Sequence, residues 1–279
     1  MVQKGFIPHD MSNHWFVYCD DKSIHFYRSW SKDCIWEAQY QIGETHTTFT
    51  SLVSNRMPEQ YKETNALADK LFFMALVTDL YSGLSKWFWD GYYRLEDGYR
   101  FSIDSLPHCL AIEDVVFFWG HQDRLDNVIK ACLSQWWHSY FRVDDKWYNC
   151  AEQYMMEQKA LIFCDQLIGE QIMASYSPLE QKKLGRKISH FDPEIWNAVK
   201  YDIVINGNKA KFIQNKQLQD FLLSTGNKIL VEASPNDNIW GIGLESTDSA
   251  ALYPSKWKGR NLLGFALMEV RDWLNNKCE

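Results

Sequence analysis

The stretch from Trp147 to Phe163 constrains this chain more than any other. Asn149 stands three residues before Glu152, the Asn-x-x-Glu spacing of a capping box, and an apolar-periodic run follows. The spacing predicts a helix with Asn149 at its N-cap. At 3.6 residues per turn, Ala151, Tyr154, Met155, Gln158 and Ile162 share one side, and Glu152, Met156, Lys159 and Phe163 form a neighbouring stripe. Glu152 and Lys159 are then two turns apart, roughly 10 Å along the axis. An acid and an amine at that separation can flank a group the size of a sugar ring. The same two residues also have a plain structural use, Glu152 as a helix cap and Lys159 as a solvated helix residue, and spacing alone leaves both readings open.

The chain has 279 residues, 46% of them hydrophobic and 23% charged, so it can bury a sizeable core in one large or two small domains. Aromatic residues make up 15%, with 13 Trp, enough for stacking surfaces as well as core. Met1 to Met11 holds a lone Lys4 and no apolar core of a secretory signal, and the longest apolar run, at 71–77, is too short to span a bilayer. The expectation is a cytoplasmic protein without membrane contact. Seven scattered Cys, with no Cys-x-x-Cys pair, point to neither disulfides nor zinc.

A net charge of −7 argues against indiscriminate nucleic-acid binding. From Lys182 to Lys228, however, nine Lys/Arg face four acids, a basic segment suited to a phosphate-bearing ligand or to a solvated helix face.

In chain order, residues 1 to about 52 read as strands. His14–Cys19 and Ile24–Trp30 flank a turn at Asp20–Ser23, and Cys34–Ile42 makes a third strand of an antiparallel meander. A helical pattern runs from Pro58 to about Tyr81, then the aromatics Trp87–Trp89 and Gly91–Tyr93 serve a core or join domains. Ser105–His108 is the best boundary, dividing the chain into 1–112 and 113–279. The second part opens on the strand Val115–Gly120 and continues through an Asp/Asn-containing stretch to Phe141–Val143 and a turn at Asp144–Lys146. Beyond the organising helix, Ser177-Pro-Leu-Glu180 and Asp192-Pro-Glu194 start further helices, Gly207 and Gly226 stop helices, and Asn261 caps the last one.

Two further constellations carry candidate chemistry. The strand Lys228–Ser234 runs into Pro235-Asn-Asp237-Asn-Ile-Trp240-Gly241-Ile-Gly243, which can hold a carboxylate at a pocket edge, stack an aromatic and bring backbone close to phosphate. An Asx turn with a packed Trp is the structural alternative. Trp196 and Lys200 lie four apart on one helix face, which suits a ligand or a core Trp beside a surface Lys.

Taken together, seven ordered blocks resemble the NADAR family, also called YbiA-like. They are Cys150–Ala160, Lys182–Arg186, Trp196 with Lys200, Gly207–Phe212, Leu222–Gly226, Val231–Gly243 and Trp257–Met268. The likeness covers residues 115 to 276. One block departs from the family pattern: where Leu-Ser-Asn-aromatic is expected, the chain has Leu133-Ser134-Gln135-Trp136.

The resemblance implies an α+β fold, with a mainly helical YbiA-like C-terminal domain preceded here by a small β-meander and helix. It also implies an N-glycosidase acting on ribosyl-nitrogen bonds and needing no cofactor or metal. Family activities are hydrolysis of phosphoribosylamino-pyrimidine intermediates and removal of ADP-ribose from guanine, the latter opposing ADP-ribosylating toxins. The implied catalytic residues are Glu152, Lys159 and Asp237, and the implied substrate contacts are Trp196, Lys200, Trp240, Gly241, Gly243, Ser134 and Gln135. The leading expected substrate is ADP-ribosylated guanine in DNA, with an ADP-ribosyltransferase toxin as the implied opposing partner. The alternatives are phosphoribosylated metabolites and a module that binds ADP-ribose or NAD without cleaving it.

Overall fold

The computed structural model describes residues 7, 14–43, 47–81, 84–120 and 130–278. The chain divides into two compact units, Met1–Leu95 and Glu96–Glu279.

In the first unit, alternating side chains build a four-stranded antiparallel sheet in the order β1 (Trp15–Cys19), β2 (Ser23–Arg28), β3 (Cys34–Ile42) and β4 (Thr47–Ser54). The meander therefore has a fourth strand beyond the three read from sequence. Along β3, Trp36, Ala38 and Tyr40 are buried while Glu37 and Gln39 face solvent, the period of two that a half-buried sheet requires. Helix α1 (Ala66–Tyr81) lays Phe73 and Val77 on that apolar face. It starts eight residues later than the sequence pattern suggests. Met57 accepts the turn bonds of Gln60 and Tyr61 instead, and Asn65 Oδ1 takes the N–H groups of Leu67 and Ala68 as an N-cap does. The aromatics at 87–93 lie in a helix of their own, α2 (Ser85–Asp97).

The second unit mixes helices with two short sheets. Strand β5 (Val115–Phe118) pairs in parallel with β8 (Ile229–Glu232), and β6 (Phe141–Val143) pairs with β7 (Lys146–Tyr148) across the expected turn. Between them run α3 (Ala151–Ile162), α4 (Gln166–Ala174), α5 (Pro178–Gly185), α6 (Pro193–Gln214) and α7 (Lys216–Ser224), and α8 (Leu262–Cys278) follows β8. Much of the Asp/Asn-containing stretch, 121–129, lies outside the described residues. Ser177 and Asp192 cap α5 and α6 as read, each with Pro at the first helical position. Gly226, at φ 55°, turns the chain after α7. The class is α+β.

Three expectations change. Gly207 does not stop a helix, because α6 runs through it to Gln214; a Cβ there would sit 2.5 Å from the Tyr154 ring, so glycine lets α6 approach α3. Asn261 precedes α8 directly, but its amide bridges β8, accepting from Glu232 N and donating to Leu230 O. The N-cap of α3 is Cys150, with no side-chain cap bond. The reciprocal bond of a capping box falls one residue late, with Gln153 Oε1 accepting from Asn149 N at 2.8 Å. Glu152 is thereby released from capping.

Helix α3 also lacks a solvated face. Every residue from Ala151 to Gln158 is buried, with α4, α5 and α6 packed around it. Its polar side chains must therefore find partners inside the protein. Gln153 donates to the carbonyls of Ile172, Met173 and Ser175, Tyr154 accepts from Asn206, and Glu157 takes Lys146, Tyr148 and Gln158.

Candidate active site

Glu152 breaks that rule. Its residue is 3% exposed, and its Oε1 is sealed from solvent with no hydrogen-bond partner. It lies at the start of α3, where helix peptide dipoles favour an anion, yet burial dominates and pushes its pKa up to about 7. Lys182, a hydrogen bond from Trp136 and Arg186 oppose that rise, and Asp237 adds to it.

Around Glu152 opens a cavity of about 700 Å³, lined by α3, α5, the start of α6, the 134–136 segment, the end of β8 and the loop after it. Glu232, the last residue of β8, contributes a second carboxyl whose Oε2 is sealed and unpartnered, although the residue as a whole is partly exposed. Desolvation, then the charge of Asp237, push its pKa up to about 8. Asp237 differs in kind: its Oδ1 accepts from Ile239 N and Trp240 N at 3.0 and 2.8 Å, and its Oδ2 lies 3.6 Å from Lys182 Nζ. That Asx turn and ion pair hold it as a fixed negative charge at the rim.

Two of the cations, Lys159 and Lys182, lie against aromatic rings. Lys159 Nζ stands 4.1 Å from the Phe191 centroid and 5.5 Å from that of Trp196, and it donates to Gly185 O at 2.7 Å. Desolvation and the nearby Arg186 lower its pKa, which Glu152 partly restores. Lys182 Nζ is 5.8 Å from the Trp136 ring. Trp119, Trp136, Trp196 and Trp240 supply apolar walls.

Beneath the 134–136 segment, fully buried Lys211 donates to Cys132 O and Ser134 O at 2.7 and 2.9 Å. Gln135 Oε1 accepts from Asn208, which leaves Gln135 Nε2 sealed and without a partner. Among the described residues, four buried side-chain polar atoms lack a partner: Gln135 Nε2, Glu152 Oε1, Glu232 Oε2 and Asn208 Oδ1. The first three belong to residues lining this cavity, and Asn208 bonds one of them. Unmet hydrogen-bonding capacity is therefore concentrated where a ligand would supply the missing partners.

Of the residues singled out in the sequence, Glu152, Lys159, Asp237, Trp196, Trp240, Ser134 and Gln135 come together around the cavity. Lys200 lies behind the wall, donating to Asn197 and 6.0 Å from the Trp240 ring; desolvation lowers its pKa to about 8. Gly241 and Gly243 stand outside the lining and shape the loop; Gly243 holds φ 67°, and a Cβ there would meet Asn238 Oδ1 at 2.6 Å. Of the nine basic residues at 182–228, only Lys182 and Arg186 reach the lining. Glu232 stands in the Val231–Gly243 block but carries no site role in the sequence, although an acid ending the apolar strand Ile229-Leu-Val is a usable signal. No group of three or more His, Cys, Asp or Glu among the described residues is arranged to hold a metal ion, and no described helix is long and apolar enough to cross a membrane.

The cavity thus sets unpaired carboxyls at the end of a parallel strand and at the start of a buried helix. The NADAR domain family matches residues 117–275, and the chain belongs to that family. N-glycosidase R617 of Acanthamoeba polyphaga mimivirus is 49% identical over 125 residues, 45% of this chain and 74% of that protein. N-glycosidase YbiA of Escherichia coli (strain K12) is 34% identical over 133 residues, 48% of this chain and 74% of its own length. The solved NMR structure of E. coli YbiA aligns with a TM-score of 0.49 and 28% identity, covering 61% of this chain and 90% of that one. N-glycosidases are hydrolases, and hydrolase is the enzyme class of this chain.

Proposed function

We propose that residues 96–279 form an N-glycosidase that hydrolyses a ribosyl-nitrogen bond, with ADP-ribose on guanine in DNA as its substrate. The observation that carries the reading is the convergence of three unpartnered buried polar atoms on one cavity that also holds Lys159 and Asp237. Breaking a C1′–N bond develops oxocarbenium character at C1′, which a fixed negative charge such as Asp237 stabilises. Glu152, with a pKa near neutrality, is suited to proton transfer at the reacting centre. Lys159 contacts the sugar, or attacks C1′ and carries the opened sugar as an imine, a role its lowered pKa favours. Lys182 and Arg186 on α5 supply charge for a pyrophosphate, and the tryptophans give stacking surface for a base. The family names of the relatives support the bond type; the preceding unit and the α5 cations favour a nucleic-acid substrate over a free metabolite.

The test is incubation with an oligonucleotide carrying ADP-ribosylated guanine, using wild type, Glu152→Gln and Lys159→Ala, with borohydride present in parallel reactions. Release of ADP-ribose by wild type and its loss in Glu152→Gln is the expected result. A reduced adduct absent from Lys159→Ala marks the covalent route. Turnover of a phosphoribosylamino-pyrimidine instead would move the enzyme to metabolite repair. Binding of ADP-ribose without any turnover would make the site a reader of that ligand.

A further inference from the structure

Glu232 has no role in the scheme above, yet its surroundings are more anomalous than those of Glu152. Among the described residues neither of its carboxyl oxygens accepts a hydrogen bond, and Oε2 is sealed from solvent. Glu152, by contrast, has the Trp136 hydrogen bond and a helix start beside it, both of which favour its ionised form. Glu232 ends a strand and has neither. The ionisable groups facing it are Asp237 from the following loop, Glu152 from α3 and Lys182 from α5, two acids against one base. Two buried carboxyls that share a cavity with a third acid do not both ionise freely near neutral pH, and the one with fewer compensating contacts keeps the proton.

We propose that Glu232 is the general acid that protonates the departing base, leaving Glu152 to act as the base that activates water. This rests on the N-glycosidase reading. As the water oxygen bonds to C1′, the C1′–N bond breaks and its electron pair passes to the base nitrogen. The Glu232 proton goes to that nitrogen, and a water proton goes to Glu152. One water is consumed, and return of the proton from Glu152 to Glu232 through solvent resets the site. If the Lys159 amine displaces the base instead, the departing nitrogen takes the same proton from Glu232. Glu152 takes the proton the amine loses on bonding to C1′, and water then hydrolyses the imine to free the lysine. Burial pushes both carboxyls up, and Glu152 has the Trp136 hydrogen bond and Arg186 opposing that rise where Glu232 has Lys182 alone, in keeping with that order.

The experiment is a pH profile of kcat and KM for wild type and Glu232→Gln on the substrate that wild type turns over. The variant keeps shape and neutrality but has no proton to give. The expected result is a fall in kcat of about a hundredfold or more, with KM within about threefold. The alkaline fall-off of the wild-type profile, which tracks loss of the Glu232 proton, disappears in the variant. A merely structural residue would leave that limb in place. Thermal unfolding of Glu232→Gln checks its fold; a variant that melts with wild type while keeping wild-type kcat, or that keeps the alkaline limb, overturns the assignment and leaves the N-glycosidase reading intact. Wild-type inactivity on every ribosyl-nitrogen substrate overturns both.

Discussion

Both units of the molecule bury carboxyl groups, but among the described residues only the second leaves carboxyl oxygens both buried and unpartnered. In the first, Asp69 has a side chain 1% exposed and is fully partnered by Trp36 Nε1 at 3.1 Å, Tyr61 hydroxyl at 2.6 Å and Arg56 Nη2 at 2.5 Å. In the second, Glu157 on α3 is saturated in the same manner by Lys146, Tyr148 and Gln158. Glu152, five residues earlier on that helix, has an orphaned oxygen, and so does the Glu232 carboxyl. A buried charge without partners costs several kcal/mol, so a fold retains one where something other than stability depends on it. Hydrogen-bond saturation, rather than burial or residue type, separates the two kinds of acid.

The largest effect expected from that contrast is catalytic. Glu152→Gln lowers turnover by about 10²- to 10⁴-fold, with a melting temperature no lower than wild type. Activity assays and calorimetry on the same preparation check it, and an active Glu152→Gln would break the comparison at its functional end. At the other end, Asp69→Ala strands the Trp36 and Tyr61 donors and the Arg56 charge. Its cost is about 3–5 kcal/mol of stability in the first unit, read by denaturant unfolding. A loss below about 1 kcal/mol would mean that saturation does not mark a structural acid.

Much of this was legible in the chain. Ser177 and Asp192 caps were readable because a cap is a local event between a side chain and N–H groups two or three residues on. The β6–β7 turn and the β3 strand were readable because turn residues and β-formers are likewise local signals. Non-local facts were not. Asn149 looked like a cap because Glu152 stood at the right distance, but its side chain is taken by Ser175 O and Gln181, which only the packing of α4 and α5 brings near. Gly207 looked like a stop because no sequence rule shows the Tyr154 ring against it. The candidate pair Glu152 and Lys159 came from helical spacing and family likeness together. Glu232 needed the structure, since being unpartnered is a property of the surroundings and not of the residue.

A subtler effect concerns stability against pH. The pKa values of Glu152 and Glu232 are raised in the fold to about 7 and about 8, above the ordinary carboxyl value of 4.5. A carboxyl with a raised folded pKa adds no penalty below its unfolded value, and it weakens the fold progressively as pH rises toward the folded value. Glu232→Gln therefore melts with wild type near pH 4.5 and a few degrees above it at pH 8.5, by thermal scans in matched buffers. A variant less stable than wild type at pH 8.5 would show that the Glu232 carboxyl is partnered after all.

The smallest effect falls on Lys182, which opposes the rise of both glutamates and pairs with Asp237. Lys182→Met removes that charge, so protons are held more tightly by Glu152 and Glu232 and the pH–activity profile moves toward higher pH. The Lys182 side chain is 34% exposed, so solvent screens much of its field, and the displacement is about half a pH unit. Moderate salt moves the wild-type profile in the same direction by less, because ions reach the exposed ammonium but not the sealed carboxyl oxygens. A profile that shifts toward lower pH in Lys182→Met would mean that the loosened Asp237 no longer repels the two glutamates, and that the ion pair, rather than the lysine charge, sets their protonation.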